Sequence, residues 1–310
     1  MKVNVGDNRR MNLNLPGSDI FTRVVRDDGK GGKVPALIQL TKRGQIFMLD
    51  RRTGKPIADV VEKPVPQAHA EGDWVAPTQP YSVGMPALGA DPLTEQDMWG
   101  ATFFDQLMCR INFRELNYEG EFTAPSTRDT LIYPGYYGGF NWGGGALDAA
   151  TGTLIVNDIR MAQWGRFIKR EDAARTGLKP STEGEYSEQL GTPWGVERSM
   201  FVSPLGVPCQ APAWGYVAGI DLTTNKVVWK HKNGTTRDST PIPIGMPVGV
   251  PSMGGSIVTA GGVGFLSGTL DQYLRAYDTN NGKELWKARL PAGGQATPMT
   301  YSGKDGKQYV

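Results

Sequence analysis

The chain has 310 residues, among them 41 Gly and 22 Pro, and carries 33 Lys plus Arg against 31 Asp plus Glu. So much turn chemistry favours many short strands over long helices, and a near-balanced charge with no basic run interleaved with aromatics argues against a nucleic-acid partner. Two distant cysteines, Cys109 and Cys209, and two histidines, His69 and His231, leave no Cys-based zinc site and no His-rich metal site, while one long-range disulfide stays open.

Residues 1–33 are polar, weakly periodic and rich in Asn, Asp and Arg, and are set apart from the domain at 34–310 as a disordered or non-native segment. They show no charged-then-apolar leader, so any targeting segment is expected upstream. From Val34, "VPALIQLTKRGQIFMLDRRTGK" predicts two short strands around a Lys-Arg-Gly turn. Residues 62–92 form a Pro-rich connection that is read as too broken for regular elements. "LTEQDMWGATFFDQLMCRINFREL" predicts the best helix of the chain, capped by Thr94, with Phe103, Leu107 and Ile111, or Phe104 and Met108, at helical spacing. Glycine-broken strands follow to Val156, and residues 160–200 read as an insertion, a loop with a short helix around 170–175. Residues 239–270 carry no charge over 32 positions, yet Pro241, Pro243, Pro247 and Pro251, then Gly254, Gly255, Gly261, Gly262 and Gly264, cannot make a lipid-exposed helix, so a loop entering a buried strand pair is expected.

One arrangement recurs. Asp50, Asp148, Asp221 and Asp278 each follow an apolar residue and precede Gly54, Gly152, Asn225 or Gly282 at the fourth place. A carboxylate that caps its own turn, with Gly or Asn accepting a positive φ, is hairpin chemistry. In the last two copies Trp229 and Trp286 stand at the eighth place. Successive turn Asp residues are 98, 73 and 57 positions apart, as loops of unequal length between similar units would give. Repeated meanders hide their faces only against neighbouring copies, so the expected fold is an all-β propeller of about four or five blade-like units with a helical insertion. These Asp and Trp residues are read as structural rather than catalytic.

"TKRGQIFMLDRRTGKP", "EKPVPQ", "DMWGATFFDQLMCR", "SPLGVPCQAPAWGYVAGIDL" and "LRAYDTNNGKELWKARLPAGGQATPMTYSGKDGKQYV" together resemble the membrane-bound quinoprotein dehydrogenases of the glucose/quinate/shikimate type, over about residues 34–310. The resemblance implies part of an eight-bladed propeller that holds pyrroloquinoline quinone (PQQ) with Ca²⁺ or Mg²⁺, and further strands beyond both ends. It also implies an anchor of N-terminal transmembrane helices, a position on the periplasmic face of the bacterial inner membrane, oxidation of a sugar or cyclic polyol with glucose first and quinate or shikimate next, and electron transfer to ubiquinone.

On the same resemblance Lys42 matches the cation beside the quinone oxygen, where negative charge develops as hydride arrives. Asn141 and Trp142, in "FNWGGG", fall where the family places polar cofactor contacts, and Trp214, in "PAWGYV", is a further contact candidate. Read without it, Lys42 is a solvated turn lysine, and Trp142 and Trp214 pack between blades. The catalytic base of the family is an Asp in a Trp-Asp pair. Here "MNLNLPGSD" puts Met11 and Asn12 at those places, and Asn takes no proton at neutral pH; Asp7 and Asp19 have no supporting context. Two other readings are a propeller scaffold without cofactor, and a decayed homologue that binds PQQ but lacks the base.

Overall fold

The structure, a computed structural model, describes residues 33–88, 91–180, 186–239 and 244–310, together with the backbone of 19–27. Strands β1 (Asp19–Asp27), β2 (Lys33–Leu40) and β3 (Ile46–Asp50) form one antiparallel sheet in chain order. The predicted Lys-Arg-Gly turn joins β2 to β3: Gly44 takes a φ of 75° and donates its N–H to the Thr41 carbonyl at 2.9 Å. β1 falls within the stretch that polarity left unassigned; pairing with the buried β2, not its own pattern, makes it a strand.

Three expectations are corrected. The Pro-rich connection contains a two-stranded hairpin, β4 (Val60–Pro64) with β5 (Thr78–Ser82). Both strands are edges, where a missing N–H is tolerated, so Pro64 and Pro80 do not break it. The helix, α1 (Phe103–Glu115), starts later than predicted, with Thr102 as its cap, because Thr94 closes a separate single turn at Glu95–Asp97. Between them the Trp99 N–H bonds the Cys209 carbonyl at 2.6 Å, which turns the chain away from helix. The apolar stripe of α1 is also the exposed one: Phe103 and Phe104 are 75% and 76% exposed, while Asp105 and Cys109 face inward.

The third correction concerns the insertion. β6 (Thr130–Ile132), β7 (Gly145–Asp148) and β8 (Thr153–Ile159) precede β9 (Gln163–Lys169), the short helix α2 (Arg170–Thr176), β10 (Tyr186–Ser187) and β11 (Trp194–Met200). β9 and β11 are seven-residue strands where a loop was expected, and they build a sheet in the order β6-β9-β11-β10. The chain then returns: β12 (Gly215–Asp221) pairs with β8 from Gly215 opposite Ile159, and β13 (Lys226–Lys232) completes the sheet β7-β8-β12-β13. The uncharged stretch delivers, as expected, a strand pair, β14 (Ser256–Val258) and β15 (Val263–Leu266), which continues as a meander through β16 (Tyr273–Asp278) and β17 (Glu284–Arg289). A last hairpin joins β18 (Tyr301–Ser302) to β19 (Gln308–Tyr309).

All four Asp turns form as read. Gly54, Gly152, Asn225 and Gly282 have φ of 70°, 75°, 57° and 70°. Each Asp Oδ1 accepts a backbone N–H two residues on: Arg52, Ala150, Thr223 and Asn280, at 2.7–3.0 Å. Asp148 and Asp221 lie in one sheet, at the β7–β8 and β12–β13 turns, so the irregular spacing reflects a sheet inserted within a sheet.

The sheets stack through their faces. Ile38 and Met48 of the first pack with Leu154, Val156, Ala218 and Ile220 of the second. Trp229 bridges the second and third: it packs with Leu266 and Tyr277 and donates its indole N–H to the Thr279 carbonyl at 2.8 Å. This is the inter-blade packing that the repeat predicts. The disulfide left open is formed: Cys109 and Cys209 are bonded, with Cα atoms 5.3 Å apart, both fully buried beside Met98 and Leu131. Among the described residues no helix is long and apolar enough to cross a membrane.

Candidate functional site

Lys42 sits in the β2–β3 turn, and its Nζ donates to the Tyr136 carbonyl at 2.7 Å. The approach is tight: the Gly139 N–H bonds the Lys42 carbonyl at 2.8 Å, and a Cβ on Gly138 would stand 2.9 Å from Lys42 Cα. Gly138 also takes a φ of 78°, so glycine is required there twice over. Burial holds the amine below the usual lysine range, and the positive charge of Arg198 lowers it further.

Asn141 lies on the same loop. Its Nδ2 donates to the Tyr137 carbonyl at 2.6 Å, and its Oδ1 accepts the Trp142 N–H at 2.7 Å. Lys42 and Asn141 thus bind consecutive carbonyls of one loop. Trp142 is 42% exposed, with its indole free of the core. Behind it, a Cβ on Gly143 would come within 2.6 Å of the Gly254–Gly255 backbone, and Gly255 in turn lies against Thr297 of the "LPAGGQATPMTY" run. Trp214 is buried, donates its indole N–H to the Gln210 carbonyl at 2.9 Å and meets Trp99 edge-on at 5.8 Å. It shares a cluster with Tyr137 and Met253, so it packs behind the loop that Asn141 braces. Lys42 and Asn141 therefore meet at Tyr136–Tyr137 and Trp214 shares a buried cluster with Tyr137, whereas Trp142 is exposed beside Asn141, and of the four only Lys42 lines the adjoining cleft.

Asn12, Met11 and Asp7 lie outside the described residues, and Asp19 is the first residue of β1, paired with Gln39. Among the described residues no group of three or more His, Cys, Asp or Glu side chains is placed to hold a metal ion.

Several participants were missed from sequence. The Tyr136 N–H bonds Gln163 Oε1, which is buried on β9, and this anchors the loop to the inserted sheet. Arg198, on β11, stacks its guanidinium 4.4 Å from the Tyr136 ring centre. Its strand was read as loop, so nothing pointed to it. Together Lys42, Arg198, Tyr136, Trp74, Phe122 and Phe167 line a cleft of about 460 Å³, with Asp73 at its wall and Arg43 held by Glu121 at 3.3 Å. Below the Lys42 turn, Asp158 is buried and paired with Arg160 at 2.9 Å; burial raises its carboxyl to about 6 against the pull of that guanidinium, and its Oδ1 has no hydrogen-bond partner.

Antiparallel sheets that succeed one another through Asp turns and a bridging Trp are the build of part of a β-propeller. The chain belongs to the PQQ family described as "Glucose/ethanol/alcohol dehydrogenase, beta-propeller domain", whose sequence profile matches residues 22–310. It is 50% identical over 289 residues to quinoprotein glucose dehydrogenase A of Acinetobacter calcoaceticus, covering 90% of this chain and 36% of that protein. It is 47% identical over 290 residues to the quinate/shikimate dehydrogenase (quinone) of Acinetobacter baylyi, covering 90% and 36%. In fold it is similar to the crystal structure of quinohemoprotein alcohol dehydrogenase from Comamonas testosteroni, with a TM-score of 0.52, 20% identity and coverage of 96% of this chain and 34% of that one. The chain spans little over a third of the length of the curated relatives it matches.

PQQ, a planar tricarboxylate, fits what is present: a cleft in the size range of small-molecule sites, aromatic walls, two cations and a backbone kept close by glycines. For the divalent cation, no group of three or more His, Cys, Asp or Glu side chains is gathered among the described residues, and no step is drawn through it.

Proposed function

We propose that this chain supplies the Lys42 face of a PQQ-dependent dehydrogenase that oxidises a hydroxyl of a sugar or cyclic polyol, glucose first and quinate or shikimate next, and passes electrons to ubiquinone. The observation that carries the reading is the pair of bonds from Lys42 and Asn141 to the Tyr136 and Tyr137 carbonyls, which draws both residues to one loop beside an aromatic, cationic cleft. When bound, the quinone accepts the electron pair from the substrate carbon. Lys42 would set its ammonium against the negative charge that develops on the acceptor, and burial strengthens that interaction. Trp74 and Phe122 would offer flat apolar surface to a ring, and Trp142 a further exposed face. No base is assigned, since Asn12 lies outside the described residues.

The buried disulfide supports folding in an oxidising compartment, in keeping with a periplasmic position and an anchor of N-terminal helices. A scaffold without cofactor is the competing reading; against it, blade packing alone does not call for a half-buried lysine beside an arginine in an aromatic cleft. The decayed-homologue reading rests on Asn12 and predicts binding without turnover.

The test is titration of the 310-residue chain with PQQ, with and without Ca²⁺, following Trp fluorescence. Saturable quenching that Lys42→Ala abolishes is expected. Absence of quenching in folded protein leaves either the scaffold reading or a site that needs the remaining blades of the relatives, of whose length this chain covers 36%.

A further inference from the structure

Gln163 opens β9 and is fully buried, paired across the sheet with Ile132 of β6 and Met200 of β11. Neighbours on both sides therefore fix the point from which its side chain leaves the backbone. The amide Nε2 lies 3.0 Å from Met200 Sδ, a weak acceptor, while Oε1 turns out of the sheet and accepts the Tyr136 N–H. A Cβ on Gly135 would overlap that oxygen, so a glycine there is what lets the amide reach the next peptide. The Tyr136 carbonyl takes the Lys42 ammonium at 2.7 Å, so Gln163 holds one side of this residue and Lys42 the other. The loop's own bonds, from the Gly135 N–H to Met161 and from the Gly138 N–H to Gly135, involve neither group of Tyr136. Gln163 stands behind the cleft and is not part of its wall.

We infer that Gln163 is a positioning residue, which through the Tyr136 backbone fixes where the Lys42 ammonium stands in the cleft. The inference rests on the dehydrogenase reading for what that ammonium is used for, and it adds a residue that acts only through another. An uncharged acceptor suits the place: a buried N–H needs a partner, and a carboxylate would bring an unpaired charge into the sheet. With an apolar side chain of the same length the Tyr136 N–H loses its acceptor, and the backbone has to turn to find another. The carbonyl that steers Lys42 turns with it, and the freed ammonium swings toward water and away from Arg198. Both changes raise an amine that burial and that arginine hold down. The other charged or titratable groups about it are Arg43 with its partner Glu121, Asp73 and the Tyr136 phenol, and the variants below alter none of them.

The test reads the Lys42 amine itself, in the 310-residue chain without cofactor. Trace acetylation with isotope-labelled acetic anhydride from about pH 7 to 11, quantified by peptide mass spectrometry, gives a rate–pH curve for each lysine. The exposed Lys55 and Lys304 serve as internal references. Gln163→Met keeps the length and loses the acceptor; it is expected to move the Lys42 midpoint up by about half a pH unit or more, the weight of one hydrogen bond of ordinary net strength. Gly135→Ala displaces the same oxygen by another route and is expected to move the midpoint the same way. Met200→Leu removes the amide's other contact and leaves Oε1, so the curve should stay in place. A midpoint that stays or falls in Gln163→Met overturns the inference, and so does an equal rise in Met200→Leu, which would mark sheet packing alone. If Gln163→Met does not fold, an unmoved curve in Gly135→Ala overturns it. PQQ titration keeps the two readings apart: failure of the wild type to bind PQQ counts against the dehydrogenase reading, while the acetylation curves still decide whether Gln163 places Lys42.

Discussion

Lys42 and Asn141, 99 positions apart, donate to adjacent carbonyls, Tyr136 and Tyr137, at 2.7 and 2.6 Å. A turn of the first sheet and a loop of the second are thereby held in one register. The Lys42 ammonium cannot swing to solvent without leaving the Tyr136 carbonyl, so its position is set before any ligand arrives. Preorganised charge of this kind costs no reorganisation when an anion forms beside it.

PQQ binding is expected to weaken as pH rises through the lowered range of the Lys42 amine, because the neutral amine offers no charge to the quinone. Arg198→Gln takes away a neighbouring positive charge, so it favours the ammonium and shifts that decline to higher pH. Affinities measured from pH 7 upward in both proteins check the direction; a decline that stays in place means the two groups are not coupled.

Gly143→Ala is expected to disturb the site without touching a polar residue. The new Cβ meets the Gly254–Gly255 backbone at 2.6 Å, and backbone yields less readily than a side-chain tip. Overpacking of this kind costs about 1–3 kcal/mol. Because the strain falls on the loop carrying Asn141 and Trp142, PQQ affinity should drop along with the melting temperature.

Trp229 and Trp286 occupy the same place in successive turns but have different fates. Trp229 is 7% exposed and bonded to Thr279, whereas Trp286 is 50% exposed. Trp229→Ala should cost about 3–5 kcal/mol and Trp286→Ala less than about 1 kcal/mol in this chain. Urea denaturation of the two variants checks the contrast.

Asp158 makes stability depend on pH. Its folded value is raised to about 6, so between the unfolded carboxylate range and 6 the folded state binds more protons than the unfolded one. Stability should therefore rise on acidification from pH 7 toward 4 and fall again as pH climbs through 6. The comparison is with Asp158→Asn, which lacks this proton while keeping the other carboxylates. Parallel pH profiles for the two proteins would mean that Arg160 dominates after all.

Cys109→Ser and Cys209→Ser should each lower stability by about 2–5 kcal/mol, since the bond closes a separation of 100 residues in the unfolded chain. Both sulfurs are buried, so dithiothreitol should act slowly on the folded protein and quickly on the denatured one. Thermal melts before and after reduction measure the difference.

What the sequence determined alone was local. An Asp accepting the N–H two residues on, with Gly or Asn at a positive φ, is decided within five residues, and all four such turns form wherever they lie in the sheets. The propeller class followed from their repetition, whereas Lys42 and Asn141 were pointed to by the family resemblance and not by the residues themselves. Tertiary structure decided what depends on distant partners. β9 and β11 become strands because each finds the other's edge, although neither pattern announces it; β8 finds β12 across an intervening sheet; and the apolar stripe of α1 faces outward because the disulfide and Asp105 claim the inner face. The same long-range pairing carries Arg198 to the ring of Tyr136, 62 positions away in sequence. A hydrogen bond within a turn is written in its own residues, but a charge placed across a cleft is written in the packing of every sheet between.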